Sequence, residues 1–186
     1  MDVMLVGGVS PMMRNLSLKL HKEGHRIYVL SGNRNPSEHY EYVFERYDFP
    51  YSADSVKEVF RSVNPDVTVM LGAFDRNFHE KDSKKEAVAY TAGLQNILLS
   101  WAAIDKGRLI YLSSVEVYGS SYQAPVTEAV APVPFGIRAT TLLQAEESCK
   151  FYKERLKKDV VVLRLDKIYD VPRNKDDALL GICEAK

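Results

Sequence analysis

Residues 4 to 13 read Met-Leu-Val-Gly-Gly-Val-Ser-Pro-Met-Met, and this stretch limits what the chain can fold into more than any other. An apolar run from Val3 to Val6 stops at Gly7 and Gly8. Ser10 then supplies a helix N-cap, and Pro11 suits the first helical position, where a missing N–H costs no helical bond. Met13, Leu16 and Leu20 recur at the spacing of one helix face. Strand, glycine turn and helix in immediate succession form the opening unit of a dinucleotide-binding α/β fold. The helix N-terminus of such a unit aims N–H groups and a partial positive charge at the turn, where a pyrophosphate sits. In the pattern G-x-x-G-x-x-G, Gly7 fits the first position, Ser10 stands at the second and Met13 at the third. A methionine there must either push helix and strand apart or fill space that a cofactor uses. Gly7, Ser10 and Met12 are the candidate cofactor contacts of this unit, and a strand–helix turn without a cofactor is the other reading.

The rest of the chain alternates in the same way. A second strand, Arg26 to Leu30, runs into Ser31-Gly32-Asn33-Arg34. An acidic residue near this strand end would hold the ribose 2′-hydroxyl of NAD. None is present, so Ser31 with Arg34 suits the 2′-phosphate of NADP better; a plain turn is the alternative. Residues 35 to 53 carry Tyr40, Tyr42, Phe44, Tyr47, Phe49 and Tyr51. They read as a variable loop with one short strand rather than an aromatic box. Asp54 is expected to cap a short helix through Phe60 and Val63 that Asn64-Pro65 ends.

Val67 to Leu71 is a continuous apolar strand, as expected when both sheet faces are covered. Leu71, Gly72 and Ala73 close it with residues small enough at 72 and 73 for a cofactor to approach. A long helix follows from about Ser83 to Ala103, with Ala87, Thr91, Leu94, Leu98 and Trp101 on its buried face. A strand from Leu109 to Leu112 opens into Ser113-Ser114-Val115-Glu116-Val117-Tyr118-Gly119. A helix from about Phe135 buries Leu142, Ala145, Cys149, Tyr152 and Leu156, and Lys150 to Lys158 forms its solvated face and basic end. Val160 to Leu165 is the last clear strand. The expected fold class is therefore α/β: one domain over residues 1–186, a Rossmann-type doubly wound parallel sheet with helices on both faces and right-handed crossovers.

Charge and cysteine content exclude several function classes. Lys+Arg and Asp+Glu both number 25, so no nucleic acid or anionic membrane surface is indicated as a partner. Cys149 and Cys183 form no C-x-x-C pair, which argues against a disulfide framework or zinc site and for a cytoplasmic location. The amino terminus is too polar for a signal peptide, and no stretch is long enough to span a membrane. His21, His25, His39 and His79 lack ligands at metal-binding spacing and are taken as surface residues, so no metal site is expected.

Taken together, these segments resemble the extended short-chain dehydrogenase/reductase family, the NAD-dependent epimerases and dehydratases of nucleotide sugars. Met70-Leu71-Gly72-Ala73 is similar to the family's H-L-A-A segment. Gly93 and Asn96-Ile97-Leu98 resemble part of N-V-x-G-T-x-N-L-L. Residues Ser113 to Gly119 resemble S-S/T-x-x-V-Y-G, Pro125-Val126-Thr127-Glu128 resembles P-x-T-E, and Leu163-Arg164 with Ile168-Tyr169 resembles L-R-x-x-N-V-Y-G. The order and spacing of these matches carry the resemblance over nearly the whole chain.

The resemblance implies an NAD(P) cofactor, a small-molecule nucleotide or nucleotide-sugar ligand, and a homodimer through the helices at about 83–103 and 135–157. Leu99, Leu143 and Phe151, apolar beyond one buried stripe, agree with that dimer or with a second packed helix face. It also implies that Ser114 is the hydroxyl that orients the substrate oxygen, and that Glu116 is the acidic residue that serves as a base in the dehydratase variants. Family members continue for roughly another hundred residues that supply most of the sugar pocket, so the chain is expected to lack that part.

The family's proton transfer rests on Y-x-x-x-K, whose tyrosine exchanges the hydroxyl proton during hydride transfer. In register with it this chain reads Phe135-Gly136-Ile137-Arg138-Ala139, with neither phenol nor ammonium, and Arg138 one position from the lost lysine. Two functions follow as expectations. The first is a degenerate, pseudoenzyme-like member that binds a nucleotide or a partner without transferring hydride. The second is an active NAD(P)-dependent nucleotide-sugar epimerase, dehydratase or reductase that uses Ser114 and Glu116 as an altered acid/base set.

Overall fold

A computed structural model of the chain describes residues 1–7, 11–31, 42–48, 51–71, 83–119 and 125–166. Six strands form one sheet: β1 (Asp2–Val6), β2 (Arg26–Ser31), β3 (Glu45–Asp48), β4 (Val67–Leu71), β5 (Arg108–Ser114) and β6 (Val160–Leu165). Their spatial order is β3-β2-β1-β4-β5-β6, and every neighbouring pair is parallel. This order, with its reversal between β1 and β4, is that of the doubly wound dinucleotide-binding sheet. The expected α/β Rossmann-type fold is what the chain adopts.

Strand alternation sorts the core into two layers. Met4 and Val6 of β1, Tyr28 and Leu30 of β2, Met70 of β4, and Leu109 and Tyr111 of β5 face one side. There they meet helices α2 (Ala53–Val63), α3 (Ser83–Ala102) and α4 (Ile137–Glu154) through Phe60, Leu98, Trp101 and Cys149. Val3, Leu5, Ile27, Val29 and Val69 face the other side, under helix α1 (Pro11–Lys22), which contributes Met13 with Leu16 and Leu20 at its margin. Helices thus cover both faces. Met13 has no exposed surface, so its bulk fills the layer between α1 and the sheet.

The helix ends have local causes, and several differ from the expectation. α2 is capped by Ser52, not Asp54: Ser52 is extended, and its Oγ accepts the Ser55 N–H at 3.4 Å. Asp54 lies in the first turn, where its charge suits the helix dipole. Asn64, left-handed at φ 46°, closes α2 before Pro65 as expected. α4 starts at Ile137 after Gly136 and leaves Phe135 outside the helix. It ends at Glu154, so Leu156, expected on the buried side, lies beyond the helix and is half exposed. Thr91 of α3 is only partly buried.

His25, expected on the surface, has a side chain only 19% exposed and lies beside Glu23. His39 and His79 fall outside the described residues. Among those described, no group of His, Cys, Asp or Glu could hold a metal, and no helix is long and apolar enough to cross a membrane.

Ion pairs join the N-terminal ends of the strands. Asp2 accepts from Nε and one terminal nitrogen of Arg26 at 2.6 and 2.7 Å, and its own N–H donates to Asp66 at 2.8 Å. Asp66 also meets Lys106 at 2.5 Å, and Arg108 meets Asp159 at 2.8 Å. Gly107, at φ 106°, precedes β5 with the Pro65 carbonyl 2.6 Å from where a Cβ would stand. Only glycine serves there.

Candidate functional site

Because all six strands are parallel, their C-terminal ends share one edge. The register sets Val6 beside Leu30 and Met70, Leu71 beside Leu112, and Ser114 beside Leu165. The crevice at such an edge, where strand order reverses, is where ligands of doubly wound sheets bind. Here the reversal lies between β1 and β4.

At that point Gly7 follows β1 with φ 131°, and its N–H donates to the Leu30 carbonyl at 3.1 Å. The turn from β1 toward α1 therefore uses a conformation that residues with a Cβ rarely adopt. Met12, in the first turn of α1, is half-buried against the apolar layer of that face. Ser31 ends β2 and is buried, and Leu71 ends β4. Ser10, Arg34, Gly72 and Ala73 lie outside the described residues. The described candidates Gly7, Ser31 and Leu71 thus fall at the ends of three adjacent strands.

Ser114 and Glu116 sit at the end of β5. Ser114 is extended, and its Oγ accepts the Glu116 N–H at 3.2 Å. It thereby caps the 3-10 turn Val115–Tyr118, and its hydroxyl proton remains available to another acceptor. The Glu116 carboxylate reaches the Arg138 Nε of α4 at 3.4 Å. Ala139, the next residue, is 2% exposed and faces the core, whereas Phe135 is 86% exposed. The position in register with the family's lysine therefore turns inward, and the cation at this end of α4 is Arg138. The sequence marks Arg138 but not its partner. The two residues are separated by 22 positions, and the only signal was closeness to the lost lysine.

Two further features hold the site. Arg164 of β6 contacts the Glu146 carboxylate at 2.7 to 3.1 Å and donates to the Tyr118 hydroxyl at 2.6 Å. Its guanidinium also lies 4.7 Å from the Tyr118 ring centre. The Glu146 hydrogen bonds, opposed by partial burial, raise the Arg164 pKa. This network ties the turn after β5 to α4 and β6. Gly119, at φ 73°, ends the turn where a Cβ would collide with the Val133 carbonyl, so the loop before α4 packs directly on it. On the same side of the sheet, Tyr90 and Tyr111 share a hydroxyl–hydroxyl contact of 2.7 Å, and burial raises both their pKa values.

A shallow cavity of about 590 Å³ lies on α3 and α4, lined by Gln95, Leu143, Gln144, Phe151 and Tyr152 among others. Of the three residues singled out in the sequence on these helices, Leu99 and Phe151 are exposed and Leu143 is partly buried.

A parallel sheet in this strand order, with a glycine turn at its switch point, defines a doubly wound α/β protein of the dinucleotide-binding fold class. The family model described as the NAD dependent epimerase/dehydratase family matches residues 3–177, and the chain belongs to that family.

The fold is shared with solved structures. One is UDP-glucose 4-epimerase from Brucella ovis in complex with NAD, with a TM-score of 0.74 and 19% identity, over 88% of this chain and 51% of that one. A second is UDP-glucuronic acid 4-epimerase from Bacillus cereus in complex with NAD, at 0.77 and 20%, over 95% and 59%. A third is UDP-glucose 4-epimerase from Thermotoga maritima with UDP-glucose, at 0.77 and 17%, over 88% and 55%. The chain spans between about half and three-fifths of the length of these proteins. No curated protein matches it in sequence.

Proposed function

We propose that this chain is a degenerate epimerase/dehydratase domain that binds NAD(P), or a nucleotide related to it, without tyrosine–lysine hydride chemistry. The observation that carries this reading is the end of α4. Phe135 offers no phenol, Ala139 is buried and carries no ammonium, and Arg138 is engaged with Glu116. A phenol with its pKa lowered by a neighbouring cation is what moves the hydroxyl proton in step with hydride transfer, and that pair has no counterpart here.

Two observations support a dinucleotide in the crevice. Gly7 holds a glycine-type turn at the switch point, and Met13 is buried beneath α1 rather than standing in the crevice. Gly7 and the N-terminus of α1, with Ser10 and Met12, would hold the pyrophosphate. Leu71, Gly72 and Ala73 would lie along the nicotinamide half. Ser31 with Arg34 favours the 2′-phosphate of NADP over the diol of NAD. The bound cofactor would supply a hydride donor or acceptor.

The exposed Leu99 and Phe151 beside the α3–α4 cavity support a homodimer through these helices. The free, buried thiol of Cys149 agrees with a cytoplasmic location.

A second reading is favoured by one contact. Glu116 paired with Arg138, next to a Ser114 hydroxyl able to donate, could serve as an altered acid/base set for a nucleotide-sugar epimerase, dehydratase or reductase. Turnover separates the two. With saturating NAD or NADPH and a panel of nucleotide sugars, the first reading expects no change in nicotinamide absorbance and no altered sugar by mass spectrometry. Conversion of any sugar, lost in Ser114→Ala or Glu116→Gln, would establish the second reading instead.

A further inference from the structure

The arginine pairs among the described residues are not alike. Arg26 holds Asp2 through two nitrogens at 2.6 and 2.7 Å. Arg164 grips Glu146 with a closest contact of 2.7 Å, and Arg108 meets Asp159 at 2.8 Å. The closest approach of Arg138 to Glu116 is 3.4 Å, at Nε, well beyond the 2.7–2.9 Å of a charge-assisted hydrogen bond. No short ion pair holds the guanidinium among the described residues. Arg138 and Glu116 side chains are 44% and 47% exposed, so both are open to solvent. Both stand at the ligand-binding edge, Glu116 just past β5 and Arg138 in the first turn of α4.

We propose that Arg138 is a phosphate-binding residue held in reserve by Glu116, which the incoming anion displaces. This rests on reading the crevice as a nucleotide site and names what the ligand presents there. A guanidinium offers a planar fork of donors that matches two phosphate oxygens. Glu116 approaches at long range and leaves the fork open. A phosphate dianion carries twice the charge of the carboxylate it replaces, so the exchange favours the ligand. The swap moves little else. Ser114 Oγ holds the Glu116 N–H, so the backbone at 116 stays fixed while its side chain swings away. Phe135, 86% exposed three residues before Arg138, offers an open ring face for a base attached to that phosphate.

The test compares the unaltered protein with Glu116→Gln and Arg138→Gln by calorimetry, using inorganic pyrophosphate, AMP and adenosine as probes. The Arg138 Nε–H resonance in ¹⁵N NMR serves as a reporter at the site. Both substitutions are at exposed positions, and an unchanged Trp101 fluorescence spectrum confirms folding. Removing the competing carboxylate is expected to tighten phosphate binding about tenfold, and removing the guanidinium to weaken it about tenfold, the scale of one charge-assisted hydrogen bond. Adenosine should bind all three proteins alike.

Tightening with both pyrophosphate and AMP means free phosphate suffices. Tightening with AMP alone means the phosphate of a nucleotide is required. Equal affinity in all three proteins, or no phosphate binding in any, overturns the proposal. The pyrophosphate result needs no nicotinamide, so a failure of NADPH to bind would count against the cofactor reading alone.

Discussion

At the scale of single residues, the side chain with most at stake is Glu146. It is 6% exposed, and its carboxylate is balanced by Arg164. Removing one partner of a buried pair strands a charge in the interior, which costs more than the pair contributes. Arg164→Ala should destabilise the fold by about 3 kcal/mol and loosen the turn at Tyr118. Urea unfolding followed by the fluorescence of Trp101, the sole tryptophan and 1% exposed, measures it. The double substitution Glu146→Leu with Arg164→Met should recover most of the loss; a cost below about 1 kcal/mol for Arg164→Ala would mean that the pair is not desolvated.

The sequence alone reads residues of this kind poorly. Arg164 was visible as part of a Leu-Arg match, but its acid lies 18 residues earlier on another element. Arg138 and Glu116 share the same difficulty. Ala139 and Arg138 are neighbours in the chain, yet helix geometry turns one inward and the other to solvent, and motif register does not show which.

Between elements, the ion pairs at the strand N-termini include one carboxyl, Asp66, whose titration bears on stability in acid. Lys106 and the N–H of Asp2 hold the Asp66 carboxyl below the ordinary carboxylate range. A carboxyl whose folded pKa is depressed contributes stability above its unfolded value of about 3.9, and that stability drains as pH falls through the folded value. Unfolding free energy measured from about pH 5 down to about pH 2 should therefore fall more steeply for the unaltered protein than for Asp66→Asn. Parallel curves would show that Lys106 holds Asp66 no more tightly in the fold than in the unfolded chain. The effect is modest, because the Asp66 side chain is one-third exposed and screened by water.

Strands and helices themselves were legible. Continuous apolar runs marked β1, β4 and β6, and a 3.6-residue apolar period marked α3 and α4. Their ends were less so. Asp54 and Ser52 both suit a cap, and only the extended backbone at Ser52 decides. The apolar period of α4 carries on to Leu156, but the helix stops at Glu154 and Lys157 turns left-handed at φ 55°.

For the whole molecule, the parallel doubly wound class was legible because alternating β and α segments joined by short turns leave few parallel topologies, whereas the order β3-β2-β1-β4-β5-β6 is seen only in the structure. Function was less so, since it depends on which strand-end residues share one edge. The described candidates do share it: Gly7, Ser31, Leu71 and Ser114 each end or follow a strand of one parallel sheet. The apolar face on α3 and α4 makes a prediction at this scale. Sedimentation at high micromolar concentration should show a dimer that Leu99→Glu dissociates, and a monomer throughout would remove the proposed interface.

On the proposed function, the β1–α1 turn still binds a dinucleotide although Ser10, Pro11 and Met13 depart from the glycine pattern. Calorimetric titration of the purified chain with NADPH and NADH, each separately, tests it most directly. Micromolar binding with preference for NADPH is the expected result and would support Ser31 and Arg34 as the 2′-phosphate contacts. No binding of either cofactor up to millimolar concentration would contradict the claim and leave the turn as a strand–helix connection.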